Sequence, residues 1–329
     1  PAPRRVLRRQ LDRLGQRGLR AYAATELEFM VFDDTYRQAW ANGYRGLTPA
    51  SDYNIDYAIA ASSRMEPLLR DIRQGMQGAG LQFEAVKGEC NRGQQEIGFR
   101  YDAALVTCDN HVIYKNGIKE MAQQSGQSVT FMAKPDHTWI GSSCHIHSSL
   151  WGGDEALFSG ESTLFKQYLA GMIACAGEFA VFLAPNINSY KRYAAGSWAP
   201  TTLAWGYDNR TCGFRVVGHG KSLRVECRIP GADANPYLAF AALLAAGLHG
   251  IEHQLELPPV FTGNAYESDV KRFPHTLNEA ISALEHGTVA RSAFGDDVVE
   301  HYLNYARTEQ QLFDKAVTCY ERERFFERG

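Results

Sequence analysis

Three short segments carry ionisable residues at every second position: Thr25-Glu26-Leu27-Glu28-Phe29, Cys144-His145-Ile146-His147 and Leu223-Arg224-Val225-Glu226-Cys227-Arg228. In an extended strand alternate side chains share a face, so each segment offers one charged face and one apolar face. Any one of them alone reads as the solvated side of a half-buried strand. The three together read differently, because paired glutamates and paired histidines destabilise a sheet unless something compensates them. Bound cations are the simplest compensation. A fourth segment, from Gly88 to Glu96, turns through glycine and adds Glu89 and Glu96, so that five glutamates and two histidines can converge. Carboxylates with an added imidazole suit Mg²⁺ or Mn²⁺, and no thiolate cluster suggests structural zinc. Arg192, Arg210, Arg215, Arg224 and Arg228 would oppose these metals, as expected where phosphates and a carboxylate are held together. Singly, each of those arginines reads as a surface ion pair. Neither G-x-x-x-x-G-K-[ST] nor a strand-linked G-x-G-x-x-G occurs, so a nucleotide would be gripped by metals and arginines.

The elements that must position these groups follow from periodicity. Strands are expected over residues 21–32, 81–87, 94–99, 128–133, 144–151 and 222–229, and helices over 56–77, 103–124, 163–183 and 236–249. Pro185 stops the third helix, and Asn235-Pro236 starts the last one. The Arg-rich beginning could pass for a transit peptide, but Val6, Leu7, Leu11 and Leu14 at helical spacing predict a surface helix. Short turns between strands favour an α+β fold, an antiparallel sheet with outer helices, over a doubly wound one. There is no internal repeat and no linker, so residues 1–329 read as one domain. With 45% hydrophobic residues, 22% charged residues and a net charge of -3, no global field favours nucleic acid or membrane surfaces. Seven scattered cysteines without C-x-x-C fit a reducing cytoplasm, and no apolar run reaches the ~18 residues of a membrane span.

In order and spacing, the motifs resemble those of glutamine synthetases and their γ-glutamyl-amine ligase relatives. The likeness rests on Glu26-Leu27-Glu28-Phe29, on Gly88-Glu89 through Gly93-Gln94-Gln95-Glu96-Ile97, and on Gly141-Ser142-Ser143-Cys144-His145-Ile146-His147. It continues in Asn188-Ser189-Tyr190-Lys191-Arg192, Asn209-Arg210, Arg224-Val225-Glu226-Cys227-Arg228 and Ala234-Asn235-Pro236-Tyr237. The resemblance implies a curved antiparallel sheet flanked by helices, a design shared with guanidino kinases, and subunits assembled into two stacked rings, a homo-dodecamer. It implies ATP, glutamate and an amine as substrates and at least two divalent cations per site. One metal would sit among Glu28, Glu89 and Glu96, the other among Glu26, His145 and Glu226. Arg192 and Arg228 match positions that bind glutamate and stabilise the transferred phosphoryl group, so that the catalytic set is Arg192, Glu226 and Arg228. Gly141 matches the backbone that receives the amino acid. Arg210, Arg215 and Arg224 match phosphate contacts, and Glu84, Tyr101, His147 and Ser149 match positions near the nucleotide.

Two departures from the family pattern bear on the product. The family's smaller N-terminal β-grasp-like domain is not in this chain. Trp198 stands where ammonia-using members have Glu, and Ile140 replaces an Asn before Gly141. A small buried cation without a counter-charge pays a desolvation cost of several kcal/mol, so the expected acceptor is a primary amine larger than ammonia, such as a polyamine or ethanolamine. The alternatives are a glutamine synthetase using ammonia, a guanidino kinase, or a silent ring-forming relative. Guanidino kinases lack this array of five Glu and one His, and a silent relative would be expected to lose metal ligands, of which all six are present.

Overall fold

The computed structural model describes residues 2–328. One ten-stranded sheet organises the fold. Its main strands are β1 (Arg20–Phe32), β2 (Phe83–Gly88), β3 (Gln94–Phe99), β4 (Cys144–Gly152), β5 (Trp205–Tyr207), β6 (Phe214–Val217) and β7 (Arg224–Cys227), in spatial order β2-β3-β1-β4-β7-β6-β5. All neighbours in this path are antiparallel except the edge pair of β5 and β6, which is parallel where an antiparallel sheet was expected. The chain from β5 to β6 loops through Asp208–Gly213, with Asp208 at a φ of 47° and Thr211 Oγ1 donating to Asn209 Oδ1 at 2.7 Å. That detour carries the chain back to the starting end of β5, so that β6 runs in the same direction.

Alternation along β1 separates two environments. Ala23, Leu27, Phe29 and Val31 are buried against helices, and Thr25 Oγ1 meets His111 Nδ1 at 3.2 Å on α2 (Ala104–Gln124). Glu26 and Glu28 therefore project from the opposite face. The same rule sorts β4, where Ser148 receives the Tyr168 hydroxyl at 3.2 Å from α3 (Thr163–Cys175) while His145 and His147 face the other way. Behind the sheet, α3 packs on α4 (Pro236–Glu252), a helix apolar all round and almost wholly buried. The Asn235 side chain caps α4 by accepting from the backbone of Tyr237 and Leu238, and Pro236 costs no bond in its first turn. The amino-terminal helix Pro3–Gly15 buries Val6, Leu7 and Leu14 against α4 and exposes most of its arginines.

Two expected helices are divided. The 56–77 segment forms Ile59–Arg64 and Glu66–Gly78, because Pro67 cannot donate within a continuous helix and starts a new one. Asp56 and Tyr57 precede the first of these helices, with Tyr57 in the left-handed region at a φ of 54°. The 163–183 segment breaks after Cys175 and resumes as Ala180–Leu183. The 128–133 strand is shorter than expected, Ser128–Thr130. Among the described residues no helix is long and apolar enough to cross a membrane.

Candidate active site

Strand register brings the ionisable residues together. Glu28 lies opposite Glu96 across β1 and β3, Glu26 opposite His145 across β1 and β4, and Glu226 opposite both His147 and Arg215 across β4 and β6. Two groups of ligand atoms result, each within 4.8 Å of one another: Glu26, His145 and Glu226, and Glu28, Glu89 and Glu96. These are the two sets expected from the sequence.

Their electrostatics differ. Burial alone would raise Glu26, but hydrogen bonds from His145 Nδ1 at 3.1 Å and His147 Nε2 at 2.9 Å hold its carboxyl far below the ordinary range. Glu226 is fully buried and is also held low, against the pull of burial, by His145 and by Arg228. Arg228 Nη1 donates to its Oε1 at 2.5 Å and Arg215 Nη1 to its Oε2 at 2.8 Å. His145 is pushed down to about 4 by burial and by Arg228, so its imidazole is neutral and able to ligate. The other group lacks such compensation. Burial, then the charge of Glu89, pushes Glu28 up to about 7, despite bonds from the Ser143 amide at 2.7 Å and hydroxyl at 2.6 Å. Glu89 and Glu96 are also raised, chiefly by burial. Lys87 contacts Glu89 and lies 3.2 Å from Glu96, and the charge of Arg192 draws Glu28 down only in part. Three carboxyls that resist ionisation around a common point fit a hard divalent cation.

The Glu28–Glu89–Glu96 group opens into a cavity of about 360 Å³, whose wall also includes Gly141, Arg192, Trp198, Arg210 and Arg228. A side chain on Gly141 would collide with the Ala133 carbonyl and with Arg192 Cγ, so glycine lets the backbone line the cavity beside that arginine. Trp198 is 49% exposed at a φ of 59°. A second cavity of about 640 Å³ is lined by Glu84, Tyr101, His147, Ser149 and Arg224, five of the residues expected near the nucleotide. Both cavities share Glu26 and Glu96 in their walls. The remaining arginines separate. Arg210 lines the first cavity rather than the second, and Arg215 is engaged by Glu226 and Asp208. Arg224, expected to contact phosphate, lines the second cavity and donates to His147 Nδ1 at 3.2 Å.

Four further residues shape the site without having been singled out from sequence. Ser143 and Gln94 hold Glu28, the latter through Nε2 at 2.9 Å. Lys87 stands two residues before Glu89, a spacing that could have revealed it. Asp56 lines the first cavity with ligand atoms near those of Glu89 and Cys90, and the sequence hid it inside an expected helix.

A largely antiparallel sheet flanked by helices, with carboxylates that could hold cations and arginines gathered on one face, is an α+β arrangement suited to phosphoryl transfer. Glutamine synthetase, catalytic domain, is the family that matches residues 1–325. The chain is 57% identical over 331 residues to gamma-glutamylethanolamide synthetase GlnA4 of Streptomyces coelicolor, covering 99% of this chain and 71% of that protein. It is 37% identical to glutamate–isopropylamine ligase of a Pseudomonas species, over 99% of this chain and 73% of that one. Among solved structures, GmaS in complex with ADP superposes with a TM-score of 0.90 at 29% identity, over 99% of this chain and 77% of that one. The chain belongs to the glutamine synthetase family and is an ATP-dependent ligase.

Proposed function

We propose that this ligase joins the γ-carboxyl of glutamate to a short primary amine, ethanolamine or a similar alkylamine, through γ-glutamyl phosphate. The observation that carries this reading is Trp198 on the wall of the glutamate-side cavity, in a chain 57% identical to an ethanolamide synthetase. An indole offers an amine's methylenes about 0.8 kcal/mol each on burial, whereas bare ammonium gains no such contact. Asp56, the carboxylate on that wall that neither metal set uses, supplies a counter-charge for an alkylammonium.

In this reading Mg²⁺ or Mn²⁺ would be held by Glu28, Glu89 and Glu96 and by Glu26, His145 and Glu226, and would neutralise charge on the transferred phosphoryl group. ATP occupies the cavity lined by Glu84, Tyr101, His147, Ser149 and Arg224, with Arg210 and Arg215 toward its phosphates. Arg192 and Arg228 face the glutamate and the developing anion from the first cavity, beside the Gly141 backbone. Assembly into a homo-oligomer of stacked rings is supported by exposed Leu312, Phe313, Val317, Tyr320, Phe325 and Phe326 near the carboxyl end, an apolar surface suited to a second copy.

The test is ADP release with glutamate and a panel of amines, using the full-length protein. The reading requires turnover that depends on both. Release that proceeds without glutamate, or that no amine accelerates, would contradict it.

A further inference from the structure

Arg192 is 2% exposed and is anchored from one side, where Nη2 donates to the backbone carbonyls of Arg228, at 3.2 Å, and of Ile229. Its Nε is buried without a partner. A second buried polar atom, Oδ1 of Asp233, is equally alone. The other oxygen of that carboxylate is occupied, accepting from Asn186 Nδ2 at 3.0 Å and Ser189 Oγ at 2.6 Å. These contacts brace the short helix Ile187–Tyr190 that leads directly to Arg192.

Both unpartnered atoms lie beside Gly231. A Cβ placed on Gly231 would crowd Asp233 Oδ1 at 2.8 Å and Ala133 Cβ at 2.9 Å, and would lie 3.5 Å from Arg192 Nε. Glycine at 231 thus lets a carboxylate acceptor and a guanidinium donor approach the same point of the backbone with no side chain between them. Buried polar groups without a protein partner are commonly satisfied by a retained water. We propose that Asp233 is a positioning residue for Arg192, its Oδ1 accepting from Nε–H through one bridging water beside Gly231. With Nη2 fixed by carbonyls and Nε fixed by Asp233, the guanidinium plane is set and its remaining edge is presented to the cavity. Asp233 would then act at both ends of the segment, bracing the helix through Oδ2 and aiming the arginine through Oδ1.

This inference rests on the reading of Arg192 as the group that meets glutamate and the transferred phosphoryl, so the experiment includes variants of both residues. Asp233→Asn keeps the size of the side chain, and its amide oxygen can still accept from Asn186 and Ser189. It presents an amide N–H toward Arg192, where an acceptor is needed. In the full-length protein, kcat should fall about tenfold, the lower end for loss of an outer-shell partner, with the KM for ATP unchanged. Ser189→Ala removes part of the brace and should lower Tm while leaving kcat per folded enzyme intact. In an Arg192→Lys background, which lacks the guanidinium, Asp233→Asn should add little further loss. Normal activity of Arg192→Lys would overturn the reading of Arg192. An impaired Arg192→Lys beside a silent Asp233→Asn, or losses that simply multiply, would overturn the role of Asp233 alone. If Asp233→Asn does not fold, Gly231→Ala, whose methyl would press on Asp233 Oδ1 and come between it and Arg192 Nε, must show the same fall in kcat per folded enzyme, and a normal kcat there would refute the proposal.

Discussion

Glu28 and Glu96 stand directly opposite each other across β1 and β3, two buried carboxylates in register where a sheet ordinarily avoids like charges. The consequence is a pH dependence of definite sign. Glu28 titrates near 7 in the fold, raised by burial and then by Glu89, against roughly 4.3 in an unfolded chain. Between those values the folded state holds a proton that the unfolded state has released, so the metal-free protein loses stability as pH rises through this window. Divalent cations bind the ionised form and should restore it most above pH ~7. Thermal melts with and without Mg²⁺ check this, and Glu96→Gln should raise the metal-free Tm at neutral pH while shrinking the Mg²⁺-induced shift. A Tm that climbs with pH in the absence of metal, and does not respond to Mg²⁺, would be inconsistent with a cation site here.

Glu226 calls for a gentler substitution than its place on a strand suggests. Fully buried between Arg215 and Arg228, it cannot be truncated to Ala without stranding two guanidinium groups, at a cost of roughly 3 to 5 kcal/mol. Glu226→Gln keeps an acceptor there and should remain folded by circular dichroism. Glutamate-dependent ATP turnover should nevertheless drop on the order of 100-fold, since several kcal/mol of charge stabilisation are at stake. Turnover at the native level would remove Glu226 from the chemistry.

How much of this was legible in the sequence depended on how local the cause was. Glu26 with Glu28, His145 with His147, and Glu226 with Arg228 could be read because period-two alternation fixes a face before any tertiary contact is known. Which neighbour each would meet could not be read. Register, set by sheet pairing, gave Glu226 to Arg215 from β6 and sent Arg224 to His147. Asp56 was concealed because helical periodicity ran through it, whereas the left-handed backbone at Tyr57 keeps the helix from starting before Ile59. The parallel pairing of β5 and β6 likewise arises from a loop with left-handed backbone at Asp208; Asp tolerates that conformation better than most residues, but nothing local to it sets the direction in which the next strand pairs.

Asp56 separates charged from uncharged acceptors. Alkylamines arrive as alkylammonium ions, whereas hydroxylamine is neutral at neutral pH and needs no counter-charge. Asp56→Asn should therefore raise the KM for ethanolamine by about tenfold, the scale of one modest ion pair at ~1 kcal/mol or slightly more, and leave γ-glutamyl hydroxamate formation nearly unchanged. Equal losses with both acceptors would assign Asp56 a structural role.

In the proposed function the cavity beside Trp198 takes an amine with a carbon stem. Two methylenes buried against the indole contribute roughly 1.6 kcal/mol, more than a factor of ten. The direct measurement is kcat/KM for ammonia and for ethanolamine at fixed glutamate, ATP and Mg²⁺, on the full-length protein. The expected result is at least about tenfold preference for ethanolamine or a similar short alkylamine, diminished in Trp198→Ala. Ammonia as the better acceptor, with Trp198→Ala leaving the ratio unchanged, would contradict it and make the protein a glutamine-forming enzyme.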